Sequence, residues 1–173
     1  LGIKDLGQYT VSILIFGALS IVPLVISQQM YPRMAYRYGE TGSTFSLLPM
    51  IATQSLSAFT ATLPLIVIAY FFVPFLVSEF MPQYSEGILP ARITLIGLLI
   101  FPLAGGVANF LNTICKQFFY MIVQAVAVVI NFFLATLFTN FGWGLNGVAI
   151  AGAMTFFLYT SALCFVGFVI VIK

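Results

Sequence analysis

Apolar and polar residues alternate along this chain in long blocks. Five mostly apolar stretches cover residues 8–28, 50–77, 92–112, 118–138 and 147–172. A helix needs about 20 such residues to cross roughly 30 Å of hydrocarbon, so each stretch predicts one transmembrane helix. The expected fold is therefore all-α, a polytopic membrane helical bundle of about five transmembrane helices in a single domain that covers residues 1–173.

The polar blocks between these stretches carry the residues that end helices or sit at a membrane surface. Residues 28–40 are basic and rich in tyrosine, which is typical of an interfacial connector. Residues 79–90 are acidic and contain Pro82, Gly87 and Pro90, and residues 140–147 combine Asn and Gly with Trp143. Turns are expected at both places. Within the second stretch, Pro64 predicts a kink.

Composition agrees with a chain that lies mostly in lipid. Of 173 residues, 62% are hydrophobic, and only six are Lys or Arg and four Asp or Glu. So few charges cannot cover a water-soluble surface, and they offer no basic patch for nucleic acid. Cys115 and Cys164 are isolated on predicted helices and are expected to be small buried side chains.

The positive charges indicate an orientation, because Lys and Arg collect in short cytoplasmic loops. If the five helices alternate in direction, the basic residues of one side are Arg33, Arg37, Lys116 and Lys173. The other side holds Lys4, Asp5, Glu79, Glu86 and Arg92. This bias predicts a cytoplasmic C-terminus.

Uncharged polar residues recur inside the predicted helices at helical spacing. On the first helix one stripe holds Gln8, Ser12, Phe16, Ser20, Pro23 and Ser27. This stripe lines a hydrated cavity or packs on another helix, and the sequence leaves both open. Packing is the expected role of the polar or small residues on the next four helices, which are Thr53, Ser57 and Thr60; Gly105, Gly106, Asn109 and Asn112; Gln117, Gln124 and Asn131; and Gly147 and Ala151. At Gly105 and Gly106 a hinge is the alternative to packing.

No arrangement of catalytic residues accompanies these polar faces. The chain has no His, and its four carboxylates fall in predicted loops or interfaces. No serine has a plausible general base beside it. The sequence therefore predicts neither an enzyme, nor a metal site, nor a cofactor.

Several motifs together resemble one family of transporters. They are Leu1-Gly2-Ile3-Lys4-Asp5-Leu6-Gly7-Gln8-Tyr9, Tyr31-Pro32-Arg33-Met34, Ile88-Leu89-Pro90-Ala91-Arg92-Ile93 and Gly142-Trp143-Gly144-Leu145-Asn146-Gly147. In this order and spacing they resemble the polysaccharide and oligosaccharide flippases of the multidrug/oligosaccharidyl-lipid/polysaccharide exporter superfamily. The resemblance covers nearly the whole chain.

The resemblance implies the later part of a two-half transporter of twelve to fourteen helices, in the inner (plasma) membrane, that flips a lipid-linked saccharide for cell-envelope polysaccharide synthesis. A chain that begins with Leu1 is likewise expected to be part of a longer protein. The expected partners are this saccharide, the bilayer and the remaining half of the transporter, with no nucleic acid. Gln8, Ser12 and Ser20 would face the central cavity, and Arg33 and Arg37 would meet a lipid pyrophosphate at its mouth. The alternatives are a drug or small-solute exporter of the same superfamily and a membrane-embedded saccharide polymerase.

Overall fold

A computed structural model describes residues 2–172, and all regular structure in this range is helical. The six α-helices are α1 (Ile3–Thr41), α2 (Leu48–Phe80), α3 (Ile88–Leu98), α4 (Phe101–Thr113), α5 (Gln117–Phe138) and α6 (Gly144–Ile172). Short helical turns at Thr44–Leu47, Pro82–Gly87 and Thr139–Trp143 join them. The all-α fold expected from the sequence is confirmed. The predicted position of Lys173 lies outside the described residues, as does Leu1.

Three helical segments are long and apolar enough to cross a membrane, and they cover Ile3–Thr41, Thr44–Phe80 and Gln117–Val171. The last segment contains two helices, because the backbone has positive φ angles at Gly142 (84°) and Gly144 (51°), which glycine adopts without strain. Beyond this turn α6 runs back along α5. The segment is therefore a helical hairpin.

The predicted third helix is interrupted. α3 ends at Leu98 and α4 begins at Phe101, and the two helices meet at an angle of 45°. Pro102 explains the position of the break, because a proline has no N–H for the carbonyl four residues earlier, which belongs to Leu98. α3 lies at one end of the bundle and α4 at the other. The pair therefore forms one broken span rather than a loop that returns to the same surface.

α1 is much longer than predicted. The basic, tyrosine-rich connector expected at 28–40 is helical, and α1 ends only where Gly42 takes a left-handed φ of 62° and donates its N–H to the Tyr38 carbonyl. Its 39 residues extend over about 58 Å. The last turns of α1 therefore project beyond a hydrocarbon layer of about 30 Å.

Two apolar clusters mark the two ends of the bundle. One cluster joins the end of α1, the start of α2, α4 and the end of α6 through Met34, Leu47, Phe110 and Leu163. The other joins the start of α1, the end of α2 and α3. Arg33, Arg37 and Lys116 fall at the first end, and Lys4 forms an ion pair with Glu86 at the second, with 3.6 Å between Nζ and Oε1. The charges are distributed as alternating helices require.

Several polar residues differ from their predicted packing roles. Thr53 and Thr60 are exposed and bind carbonyls of their own helix, whereas Gln54 and Ser55 make the contacts to α4. A helical stripe predicts which residues share a face but not which face meets a neighbour.

Both cysteines are exposed, contrary to the expectation of burial. Cys115 lies in the turn between α4 and α5 with a φ of 58°, and not on a helix. The N–H of Cys115 binds the Asn112 carbonyl, and the N–H of Lys116 binds the Leu111 carbonyl. These two bonds form a Schellman motif, so Cys115 occupies the left-handed position that usually holds glycine.

We expect single cysteines at positions 37 and 86 to react from opposite sides of sealed cells, position 37 from the cytoplasm. The background protein carries Cys115→Ser and Cys164→Ser, and the labelled variants are Arg37→Cys and Glu86→Cys. A membrane-impermeant maleimide, applied before and after permeabilisation, distinguishes the two sides. Labelling of both variants by the external reagent would contradict the alternating arrangement.

Candidate functional site

A groove runs along the bundle between α1 and α5. α1 packs on α2, α3 and α4, whereas α5 packs on α6 and touches α4. The space between α1 and α5 contains three clefts of about 460, 300 and 470 Å³. Adjacent clefts share lining residues, Phe16 and Tyr120 at one junction and Ser27 at the other. They follow one another along the bundle, and we call them together the α1–α5 groove.

One end of the groove is lined by residues that all carry an amide or a hydroxyl group. We call it the carboxamide end, and its lining residues are Ser27, Gln28, Tyr31, Asn109, Asn112 and Gln117. It lies at the same end of the bundle as Arg33 and Lys116. Among the described residues, the side chains of Gln28, Asn112 and Gln117 make no hydrogen bond to another protein group within 3.5 Å. Their donors and acceptors remain available to a ligand or to water.

The middle of the groove is aromatic. Phe16 of α1 stacks on Phe156 of α6 with ring centroids 5.4 Å apart and planes 5° from parallel. Phe101 of α4 packs edge-on against Phe16 at 5.8 Å and contacts Phe156 at 5.4 Å. Tyr120 and Tyr159 complete this part of the lining. Ring edges and faces of this kind favour contact with the apolar faces of a ligand.

The opposite end of the groove has a mostly apolar lining, to which three helices contribute hydroxyl groups. We call it the hydroxyl end, and its polar lining residues are Tyr9, Ser12, Thr94, Gln124, Asn131 and Thr155. Ser12 is only 1% exposed, and its Oγ has no hydrogen-bond partner. A buried hydroxyl without a partner costs about 1–3 kcal/mol, so a water or ligand atom in the adjoining cleft would relieve it.

A buried hydrogen-bond network holds the carboxamide end in place. Asn109 Nδ2 donates to the Ser27 carbonyl at 2.8 Å and to Gln54 Oε1 at 3.0 Å. The three residues come from α4, α1 and α2, and Gln54 is 1% exposed. Pro32 lacks the N–H that the Gln28 carbonyl would otherwise bind, so α1 is weakened beside the Ser27 carbonyl. The Asn109 bonds fix the three helices together at this position.

The sequence-predicted site residues do not form one cluster. Ser12 and Ser20 line the groove, at its hydroxyl end and in its middle. Gln8 does not line it, because its amide is bound elsewhere. Gln8 Nε2 donates to the Gln83 carbonyl at 2.6 Å, and Gln8 Oε1 accepts the Gly87 N–H at 3.2 Å. Gln8 therefore ties the start of α1 to the turn before α3.

Arg33 and Arg37 lie on the exposed surface of α1 beyond the carboxamide end. Neither residue lines the groove. Arg37 pairs with Glu40 at 3.9 Å, whereas Arg33 has no ion-pair partner among the described residues. From Ser12 to Arg33 the helix rises about 32 Å, roughly the thickness of the hydrocarbon core. The arginines and Ser12 therefore belong to opposite ends of the groove.

Arg92 lies on the far side of the bundle. Its Nε donates to the Tyr70 carbonyl at 3.3 Å, and its guanidinium carbon lies 4.8 Å from the centre of the Tyr70 ring. Pro74 cannot supply the N–H that this carbonyl would receive in a regular helix. Arg92 replaces that missing donor, so its role in this structure is to pack α3 on α2.

Several residues of α4 and α5 line the groove, although only packing roles were predicted for them from the sequence. Of the amide row on α5, Asn131 does donate to Thr155 of α6 at 3.2 Å, but Gln117 and Gln124 face the groove. Asn109 and Asn112 of α4 line the carboxamide end of the groove. The signal in the sequence was that the stripe on α1, with residues three or four positions apart, and the amide row on α5, with residues seven positions apart, each keep to one helix face. The sequence alone could not show that these two faces meet.

The groove offers hydrogen bonding and aromatic contact without formal charge. Among the residues that the structure describes, its lining contains no Lys, Arg, Asp or Glu. Within residues 2–172, no group of three His, Cys, Asp or Glu side chains is placed to bind a metal. What the described part of the groove supplies is recognition of a polar, uncharged group with apolar faces.

Comparison with known proteins gives no relative. No family model matches the sequence, and no curated protein or solved structure matches it either. The classification therefore rests on the structure, which is that of an all-helical membrane protein with a groove along its bundle.

Proposed function

We propose that the chain is part of a membrane transporter that moves a lipid-linked saccharide across the inner (plasma) membrane for cell-envelope polysaccharide synthesis. The observation that carries the proposal is the α1–α5 groove, which extends from the carboxamide end to the hydroxyl end. A sugar crossing the membrane needs hydrogen-bond partners throughout, because the hydrocarbon offers none. The resemblance of the sequence motifs to flippases supports the same function.

The chemistry of the lining favours a saccharide over the other candidates. A sugar ring presents hydroxyls at its edge and C–H groups on its faces, and the groove combines amides and hydroxyls with aromatic rings. A cationic drug would meet no carboxylate in the described part of this groove. A saccharide polymerase would need an acid or base beside the sugar, and the described lining residues include neither a carboxylate nor a histidine.

Arg33 enters this proposal at the membrane surface, beside the carboxamide end but on another side of α1. It follows Tyr31 of the carboxamide end by two residues and therefore points to nearly the opposite side of α1. Its guanidinium is exposed where lipid headgroups would lie. A diphosphate would meet Arg33 at the membrane surface, before the saccharide reaches the groove. Bidentate binding to phosphate oxygens needs the planar guanidinium, which lysine does not provide.

We expect the full-length protein in liposomes to flip a fluorescent polyprenyl diphosphate sugar, and Arg33→Lys to slow flipping about threefold to tenfold at unchanged protein level. A membrane-impermeant oxidant destroys only sugars in the outer leaflet, so flipping is measured as the rate at which sugars from the inner leaflet become accessible to it. Arg37→Lys is the matched control, because Arg37 already pairs with Glu40. Flipping no faster than in protein-free liposomes would rule out the proposed function. Equal rates for Arg33→Lys and wild type would leave Arg33 as a membrane anchor only.

A further inference from the structure

We infer that the carboxamide end of the groove is a binding site for an uncharged sugar ring. The inference rests on the proposed function and names the substrate class that this site would select. The site is the cleft of about 470 Å³ between α1, α4 and the start of α5. Its volume falls within the range of ligand sites in proteins, about 300–1,000 Å³.

The lining of this cleft is made almost wholly of neutral polar side chains, in a chain that is 62% hydrophobic. Four of its six residues are Asn or Gln. Each carboxamide combines two N–H donors with one acceptor oxygen, which matches a sugar hydroxyl that donates and accepts at once. Gln28, Asn112 and Gln117 have no hydrogen-bond partners among the described residues. Gln28 and Gln117 are exposed and Asn112 is half-buried, so these amides are open to water or to a ligand and do not bond to a neighbouring helix.

The fourth carboxamide holds the cleft in shape. Both N–H groups of Asn109 are used, for the Ser27 carbonyl and for Gln54 Oε1, and the residue is 7% exposed. Its position is fixed from two neighbouring helices. A site built on such a fixed residue binds at a lower entropy cost than one that must assemble around the ligand. Tyr31 adds an aromatic ring at the edge of the same cleft, where it can contact a sugar face.

The cleft should select neutral over acidic sugars, because the described residues of its lining carry no charge. An anionic sugar such as a uronic acid would lose water on entering the cleft and find no cation there, which is costly. Lys116 precedes Gln117 in the chain, but it is exposed and does not line the cleft. Amide and hydroxyl groups satisfy a neutral sugar without that penalty. The cleft should therefore distinguish neutral from acidic sugars.

The test compares two synthetic lipids, polyprenyl diphosphate N-acetylglucosamine and polyprenyl diphosphate glucuronic acid, on the full-length protein in nanodiscs. Equilibrium binding of the radiolabelled lipids is measured. We expect the neutral lipid to bind at least about tenfold more tightly. We expect Asn112→Leu and Gln117→Leu each to weaken binding of the N-acetylglucosamine lipid about tenfold, as the loss of one or two hydrogen bonds predicts. Binding of the glucuronic acid lipid should change little. Gln29→Leu removes an exposed carboxamide of α1 that does not line the groove, and it is the matched control.

Each outcome decides the inference. Equal binding of the two lipids, no binding of either, or unchanged binding after Asn112→Leu and Gln117→Leu would overturn it. Flipping of the same two lipids, measured in parallel, separates this result from the proposed function. Equal flipping of both lipids would keep the flippase and reject the neutral site. Selective binding that depends on Asn112 and Gln117, without any flipping, would keep the site and reject the flippase.

Discussion

Replacement of Gly106 by leucine should leave almost no folded protein in the membrane. Gly106 lies where α4 crosses α2, and a Cβ built on it would come within 2.5 Å of both the Ile51 carbonyl oxygen and Ser55 Oγ. The Ile51 carbonyl oxygen belongs to the main chain, so no side-chain rotation can move it away. At the same crossing, Ser55 Oγ donates to the Leu103 carbonyl at 2.9 Å. A side chain at 106 would therefore separate the helices and break their hydrogen bond.

Two other glycines provide matched controls for this prediction. A Cβ on Gly17 meets no atom within 4 Å, so Gly17→Leu should keep a wild-type level of protein. A Cβ on Gly105 would lie 3.4 Å from Gln54 Nε2, which is an ordinary van der Waals distance, so Gly105→Ala should cost little. Membrane levels and size-exclusion profiles of fluorescent fusions provide the measurement. A normal monodisperse profile for Gly106→Leu would show that α2 and α4 do not pack as described.

These glycines show which part of the helix packing could be predicted from the sequence. Adjacent glycines in an apolar stretch predict close approach of a neighbour, and that expectation applies to Gly106. The sequence could not tell which of the pair meets the neighbour, because adjacent residues point about 100° apart on a helix. Only the packed structure places Gly106 on α2 and Gly105 at the groove.

Helix ends were harder to predict than helix positions. Four of the five apolar stretches lie within single helices of the structure, and the stretch 92–112 spans the break between α3 and α4. Apolar length determines which segments can be buried in lipid. The polar character of 28–40 indicated a membrane surface, but a helix can leave the membrane without ending. The glycine at position 42 ends α1, not the charge of Arg33. The break at 99–100 depends on Pro102, which the sequence analysis did not use.

The candidate site was partly visible in the sequence. The stripe on α1 predicted that Ser12 and Ser20 face something other than lipid, and both line the groove. Gln8 lies on the same stripe, but it binds Gln83 and Gly87, residues 75 and 79 positions away in the chain. A periodic pattern contains no information about contacts at such a distance. For the same reason, the sequence could not predict that Asn109 pairs with Gln54, which is 55 positions away.

The Asn109–Gln54 pair provides the second large effect. Asn109→Leu should destabilise the protein by about 1–3 kcal/mol, because it removes both hydrogen bonds and leaves the amide of Gln54 buried without a partner. Gln54→Leu should cost less, since Asn109 keeps its bond to the Ser27 carbonyl. Leucine resembles both side chains in size, so the change is mainly one of hydrogen bonding.

The double variant Gln54→Leu, Asn109→Leu tests the reason for this cost. With neither amide present, no polar side chain is left unpaired between α2 and α4, so the double variant should be at least as stable as Asn109→Leu alone. The coupling free energy between the two sites should then be about 1 kcal/mol or more. Thermal unfolding of the four proteins in one detergent measures it. Additive losses would contradict the bond between Asn109 and Gln54, and with it the fixed wall on which the carboxamide end is built.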